Sequence, residues 1–222
     1  MNWIDIVQAV ISGVVVGIVV FLLDYWRSLR ERRLSDFRVA ANWEVSKPKV
    51  SLRNFDLRKA NLSGYDFTNV NLEKANLQKT GLWATKLTDA NLRDTDFRNA
   101  ELVGTNLSKS TASFANFSRA IIRRHNYDQI DFCTDFSRAI LRGATFRDAR
   151  IEEAKFRKAN LVNTDFSGAL VIACDFTGAD LTGAKWKKVK KAQNCIWKNV
   201  KVDDPNNYPP SLWAEIQKQN AK

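Results

Sequence analysis

Residues 75–107 read ANLQKTGLWATKLTDANLRDTDFRNAELVGTNL, with a large apolar residue at every fifth position: Leu77, Leu82, Leu87, Leu92, Phe97, Leu102 and Leu107. Working outward, the beat runs back through Leu72, Phe67, Leu62 and Leu57 to Leu52. Forward it passes Ala112, Phe117, Ile122, Tyr127 and Phe132, drops one residue, and resumes at Phe136. It then continues through Leu141, Phe146, Ile151, Phe156, Leu161, Phe166, Val171, Phe176 and Leu181 to Trp186. Two residues before most of these centres stands a small one, as at Ala60, Ala75, Ala90, Ala144 and Ala179. Asn or Asp often fills the gap, giving AlaAsnLeu at 75–77 and AlaAspLeu at 179–181.

A period of five suits neither ordinary element. On an α-helix it advances about 500° and scatters the large residues around the axis. On a flat strand an odd period sends successive large residues to opposite faces. The pattern works if the chain turns once per unit, so that every centre and every small residue points to one shared axis. Such a chain stacks coil upon coil and buries each repeat against its neighbours.

This pattern resembles the pentapeptide-repeat family, whose units read Ala-(Asp/Asn)-Leu-x-x. The resemblance implies an all-β solenoid, a right-handed quadrilateral parallel β-helix with four units to a coil. The 28 units from Leu52 to Trp186 then make roughly seven coils, a rod about 34 Å long at ~4.8 Å per coil.

A second strong signal precedes the repeats. Residues 4–26, IDIVQAVISGVVVGIVVFLLDYW, carry no charge from Ala9 to Leu23. With their flanks they reach the ~20 residues a helix needs to cross a bilayer. Trp3 at one end and Tyr25 and Trp26 at the other are expected interface anchors, followed by Arg27, Arg30, Arg32 and Arg33. Cations after the apolar run, and none but the α-amine before it, predict an uncleaved single-pass anchor with its N-terminus outside. The repeats then face the cytoplasm, with the bacterial inner membrane the expected location. Three cysteines without a CxxC pair, Cys133, Cys174 and Cys195, suit that reducing side. Cys174 falls at an inward small position and reads as core filler. Ala9, Gly13 and Gly17 stand four apart on one helix face, a spacing that lets membrane helices approach closely and predicts packing on a second helix.

The expected organisation is therefore an anchor at 1–26, a basic juxtamembrane linker and N-terminal cap at 27–49, the β-helix at 50–186, and a basic C-terminal segment with a capping helix at 187–222. The caps are needed because a first or last coil exposes a sheet edge and an open core. At the start, a short amphipathic helix from Ser35, with Phe37, Val39 or Ala40, and Trp43 inward, fits the role. At the end, Ser211 is expected to cap a helix over 212–219 whose Leu212, Trp213 and Ile216 close the core.

The net charge of +11 sits mainly in the flanks, since residues 51–186 hold 20 Lys/Arg against 16 Asp/Glu. Unwrapping the beat, the side that starts at Leu57 collects Arg58, Lys59, Lys79, Arg98, Arg119, Arg138, Arg157 and Lys158. This basic stripe is a candidate surface for an acidic partner or for anionic lipid headgroups. The beat is disturbed at 121–136, where His125 and Ile130 occupy small positions; a bulge is expected there, with Arg123 and Arg124 at the surface.

The sequence offers no Gly-rich phosphate loop, no Ser/His/Asp set and no metal-ligand spacing. The expectation is a protein that is not an enzyme, with no cofactor, metal or small-molecule substrate. The leading reading is a membrane-anchored scaffold that binds a protein partner or forms part of a membrane assembly, including a homo-oligomer. Lipid binding by the stripe is the alternative. Nucleic acid is disfavoured because the stripe lacks aromatics for base stacking. The resemblance also brings in a gyrase-protecting branch that mimics DNA, but that role calls for an acidic rod.

Overall fold

The computed structural model describes residues 21–22, 24–25, 27–42, 51–127 and 130–221, except the side chains of 125–131. Trp3, Ala9, Gly13, Gly17 and Trp26 lie outside the described residues, as does Trp43.

From residue 52 onward the chain winds into a parallel β-helix. Bridges link Asp56 to Asn76, Asn61 to Gly81, Asp66 to Lys86 and Asn71 to Asn91, all parallel and all 20 residues apart. Four units therefore close one coil. Successive units define four faces, named here from their first centres: face 1 from Leu52, face 2 from Leu57, face 3 from Leu62 and face 4 from Phe67. Face 3 is the most strand-like, with a five-stranded parallel sheet of β1 (Glu101–Val103), β2 (Ile121–Arg123), β5 (Arg150–Glu152), β6 (Leu170–Ile172) and β7 (Lys191–Gln193).

Each position of the unit has a physical job. The centre is fully buried, as at Leu57, Leu77, Phe97 and Leu102. Its carbonyl accepts the N–H three residues on, closing a turn, as from Ala60 to Leu57 at 3.1 Å. The second residue after the centre takes a left-handed φ, +60° at Lys59 and +61° at Asn69, the signature of a type II turn. The Asn or Asp before the centre accepts from the first turn N–H: Asn91 Oδ1 from Arg93 at 3.2 Å, Asp96 Oδ1 from Arg98 at 3.0 Å. The small residue must be small because it faces the axis beside the centre. Where it is Thr, the buried hydroxyl donates to a carbonyl of the coil below, Thr85 to Leu62 at 2.8 Å and Thr95 to Leu72 at 2.8 Å, so burial leaves no orphan.

Inside the rod, faces 2 and 4 carry aromatic columns. On face 2, Phe97, Phe117, Phe146 and Phe166 stack at 4.7, 4.8 and 5.1 Å with planes within 5°. On face 4, Phe136, Phe156 and Phe176 stack at 4.9 Å. The two columns meet edge to face across the axis, as between Phe117 and Phe136 at 89°. Both arrangements suit the ring quadrupole. At the other end, Phe55 and Tyr65, which replace small residues, are only partly buried against the core.

The disturbance at 121–136 is not the expected bulge. Beyond it the bridges join Asn106 to Asp135, Thr111 to Ile140 and Asn116 to Thr145, 29 residues apart instead of 20. Nine residues have been inserted. Within them β3 (His125–Tyr127) and β4 (Ile130–Phe132) pair antiparallel as a hairpin, His125 opposite Phe132. Tyr127 and Phe132 thus keep the beat but belong to no coil; Phe132 is 43% exposed. The unit after Ile122 is centred on Phe136. Arg123 pairs with Val103 in the sheet, and Arg124 donates to Glu153 at 3.0 Å. His125 therefore lies in the hairpin, opposite Phe132.

The ladder also runs past residue 186. A one-residue insertion shifts the partners to 21 apart, Leu170 with Lys191, Asp175 with Ile196 and Asp180 with Lys201. Trp197 is a fully buried centre stacked on Phe176 at 4.6 Å.

Both ends are closed by helices. Residues 27–41 form α1, which does not begin at Ser35: that hydroxyl donates back to the Arg32 carbonyl at 2.9 Å. Ala40 is fully buried and Phe37 packs on the core, whereas Val39 is 37% exposed. Asp36 Oδ2 accepts from the Asp56 N–H at 2.8 Å, replacing a missing coil. At the far end α2 (Pro210–Asn220) buries Leu212 and Ile216; its N-cap is Pro209, with no side-chain cap from Ser211. Gln219 satisfies the last edge, accepting from the Trp197 N–H at 2.8 Å and donating to the Cys195 carbonyl at 3.1 Å. These two contacts blunt edges that would otherwise template pairing.

Candidate functional site

The ladder decides which surface residues share a face. Face 2 follows the centres Leu57, Leu77, Phe97, Phe117, Phe146, Phe166 and Trp186. Around them it gathers nine cations, Arg58, Lys59, Lys79, Arg98, Arg119, Arg147, Lys185, Lys187 and Lys188. Against them stand four carboxylates, Asp56, Asp96, Asp148 and Asp165. Face 1 carries four cations against three carboxylates and face 4 seven against four, so face 2 holds the largest cationic excess of these.

Of the stripe read from the sequence, Arg58, Lys59, Lys79, Arg98 and Arg119 do share this face. Arg138, Arg157 and Lys158 do not. The nine-residue insertion advances the winding, and these three lie on face 4, two corners away on the opposite side of the rod. Arg147, Lys185, Lys187 and Lys188 take their place on face 2. Sequence counting missed them because it treated Tyr127 and Phe132 as coil units. Ile172 shares a side with Trp83, Val103 and Arg123.

The four carboxylates of face 2 are each engaged. Arg58 grips Asp56 through Nε at 2.8 Å and a terminal nitrogen at 2.6 Å. Arg98 does the same to Asp96, Arg147 pairs with Asp165 at 2.7 Å and Lys190 with Asp148 at 3.6 Å. Lys59, Lys79, Arg119, Lys185, Lys187 and Lys188 make no ion pair among the described residues. Their charge is available to an outside partner.

The titrations agree with that division. The Arg58 guanidinium, opposed by partial burial, holds the Asp56 carboxyl below its ordinary range. At Asp96 burial pushes upward, but hydrogen bonds from Arg98 and Gln78 outweigh it and the net shift is down. Asp56 and Asp96 are therefore anions held in fixed pairs.

Two concave places punctuate the face. Near its start a cleft of about 380 Å³ is lined by Leu29, Arg30 and Arg33 of α1 with Arg58 and Lys59. Near its end a cleft of about 500 Å³ lies among Arg147, Asp148, Lys185, Lys187 and Lys188. The thiols stand apart from both. Cys174 and Cys195 are buried at successive inward positions of face 4, and burial pushes the Cys174 thiol up, as befits core filler. Cys133 belongs to the insertion. Among the described residues no group of three His, Cys, Asp or Glu is placed to hold a metal ion.

A family model described as pentapeptide repeats matches this chain in eight copies, over residues 49–83, 85–124 and 133–168. The break from 125 to 132 falls on the β3–β4 hairpin. Among solved structures, Rfr23 from the cyanobacterium Cyanothece 51142 is 22% identical over 76% of this chain and 97% of its own, with a TM-score of 0.31. HetL, involved in heterocyst differentiation regulation in Nostoc sp. strain PCC 7120, is 24% identical over 71% of this chain and 86% of its own, TM-score 0.25. QnrB1, a plasmid-mediated fluoroquinolone resistance protein, is 17% identical over 73% of this chain and 88% of its own, TM-score 0.29. A comparison with curated proteins finds no match. The matched copies span half of the sequence and follow the register of the ladder on both sides of the hairpin: the chain belongs to the pentapeptide-repeat family.

Proposed function

We propose that this protein is a membrane-tethered, non-catalytic binding rod whose face 2 docks an acidic protein partner on the cytoplasmic side. The observation that carries the reading is the column of unspent cations along one face of a rod closed at both ends. Docking needs a rigid surface of one sign more than it needs a pocket, and a stacked solenoid supplies one. Among the described residues no helix is long and apolar enough to cross a membrane. The tether therefore rests on the apolar run at 4–26, of which Phe21, Leu22, Asp24 and Tyr25 are described; they are helical, and Phe21, Leu22 and Tyr25 are 69%, 45% and 51% exposed.

Ala9, Gly13 and Gly17 would provide the groove for a second membrane helix, from another copy or from a partner subunit. A DNA-mimicking role is the least favoured, because it needs an acidic surface and face 2 is cationic. The tether is tested by washing membranes with alkaline carbonate: the full chain stays in the pellet, and release into the wash contradicts the reading.

A further inference from the structure

We infer that the cleft between α1 and the first coil binds the phosphate of an anionic phospholipid headgroup, seating the rod on the membrane rather than leaving it on a loose tether. This rests on the membrane reading above and adds a site to it.

The cleft is built by two elements whose relation is fixed. Arg30 and Arg33 come from α1, Arg58 and Lys59 from the first turn of face 2. Burial of Ala40 and the 2.8 Å bond from the Asp56 N–H to Asp36 hold the helix against the coil. The cations are thus gathered before any ligand arrives. The nearby carboxylates are already engaged, Asp56 by Arg58 and Asp36 by the backbone. Lys59 makes no ion pair among the described residues, and Arg33 stands close enough to Asp56 to help lower its pKa. Guanidinium forks beside an ammonium suit the oxygens of a phosphodiester.

Depth selects the occupant. Arg30 lies five residues beyond Tyr25, about 7.5 Å along a helix. The headgroup layer on each side of the hydrocarbon is roughly 5–8 Å thick. With the exposed Phe21, Leu22 and Tyr25 placed at the apolar boundary, Arg30 falls at phosphate level and Arg33 about 4.5 Å farther out along the helix. The far cleft at Lys187 and Lys188 is lined among the described residues by polar and charged side chains and Gly168.

The test places the full chain in nanodiscs of phosphatidylcholine with a minority of phosphatidylglycerol and counts retained lipids by native mass spectrometry. The wild type keeps phosphatidylglycerol. Arg33→Gln/Lys59→Gln lowers its retention at least about tenfold, since two charge-assisted contacts are lost and one alone is worth about that much. Lys187→Gln/Lys188→Gln, which removes the same charge at the far end, leaves retention unchanged. Arg30→Gln, at an exposed position, repeats the loss in part should the double variant unfold. Equal losses from the two ends, or no preference over phosphatidylcholine, would overturn the site. So would inorganic phosphate raising the Tm of the wild type while phosphatidylglycerol is not retained, which would make the ligand a soluble one. Carbonate release of the chain would instead defeat the membrane reading itself.

Discussion

Faces 2 and 4 share their construction inside and differ outside. Each buries a column of parallel rings, Phe97 to Phe166 on one and Phe136 to Phe176 on the other. Outside, face 2 distributes its cations from Arg58 to Lys188. Face 4 carries fewer, Lys86, Lys109, Arg138, Lys155, Arg157, Lys158 and Lys198, against Asp66, Asp89, Asp135 and Asp175. Inward positions obey the packing of the coil and so repeat; outward positions obey no such rule. The comparison teaches that the interior specifies the rod, whereas the exterior is free to differ from face to face.

The largest effects should come from the part the faces share. Phe146→Ala on face 2 and Phe156→Ala on face 4 each remove a fully buried, stacked ring. Both should cost about 3–5 kcal/mol, and thermal unfolding should find them alike. A large inequality would mean that the two columns are not equivalent supports. Next comes Ala144→Leu, at an inward small position with no exposure. It forces extra atoms into a packed axis at a cost of about 1–3 kcal/mol; a neutral result would show slack in the coil.

Smaller still is the effect expected from deleting residues 125–133. Joining Arg124 to Thr134 restores the 20-residue coil, because Thr134 is already buried at the inward small position. The rod should fold with stability within about 1 kcal/mol of the wild type, as loop length carries only a weak closure term. Collapse of the rod would show that the hairpin supports the winding, and would also undo the assignment of Arg119 and Arg147 to one face.

That hairpin marks the limit of what the sequence made legible. From Leu52 to Ile122 the beat has the observed register, since each centre and each small residue answers to the same axis. The insertion is two units less one residue, so Tyr127 and Phe132 mimic continuation and the beat reads as a one-residue slip. The signal that could have exposed it was present: His125 and Ile130 stand where only small side chains fit the axis. Two such failures in succession mean that the chain has left the coil. The stripe inherited the error, because a face is defined by which residues stack, and stacking is lost as soon as a coil is miscounted. The two phenylalanine columns, the Asp36 contact and the Gln219 cap depend on three-dimensional closure and had no local signature at all.

The central claim is that face 2, and not the equally built face 4, meets the partner. It is tested most directly by pull-down of the full-length protein from detergent-solubilised membranes, with two variants of equal charge. One carries Lys79→Gln, Arg119→Gln and Lys187→Gln; the other carries Arg138→Gln, Lys158→Gln and Lys198→Gln. Each substitution is a surface change worth under about 0.5 kcal/mol of stability, so both rods should remain folded. Recovery of the co-purifying partner should fall about tenfold or more for the face 2 variant, as expected when about 1.4 kcal/mol of binding is removed, and stay at the wild-type level for the face 4 variant. Equal recovery from both, or a greater loss from the face 4 variant, would contradict it.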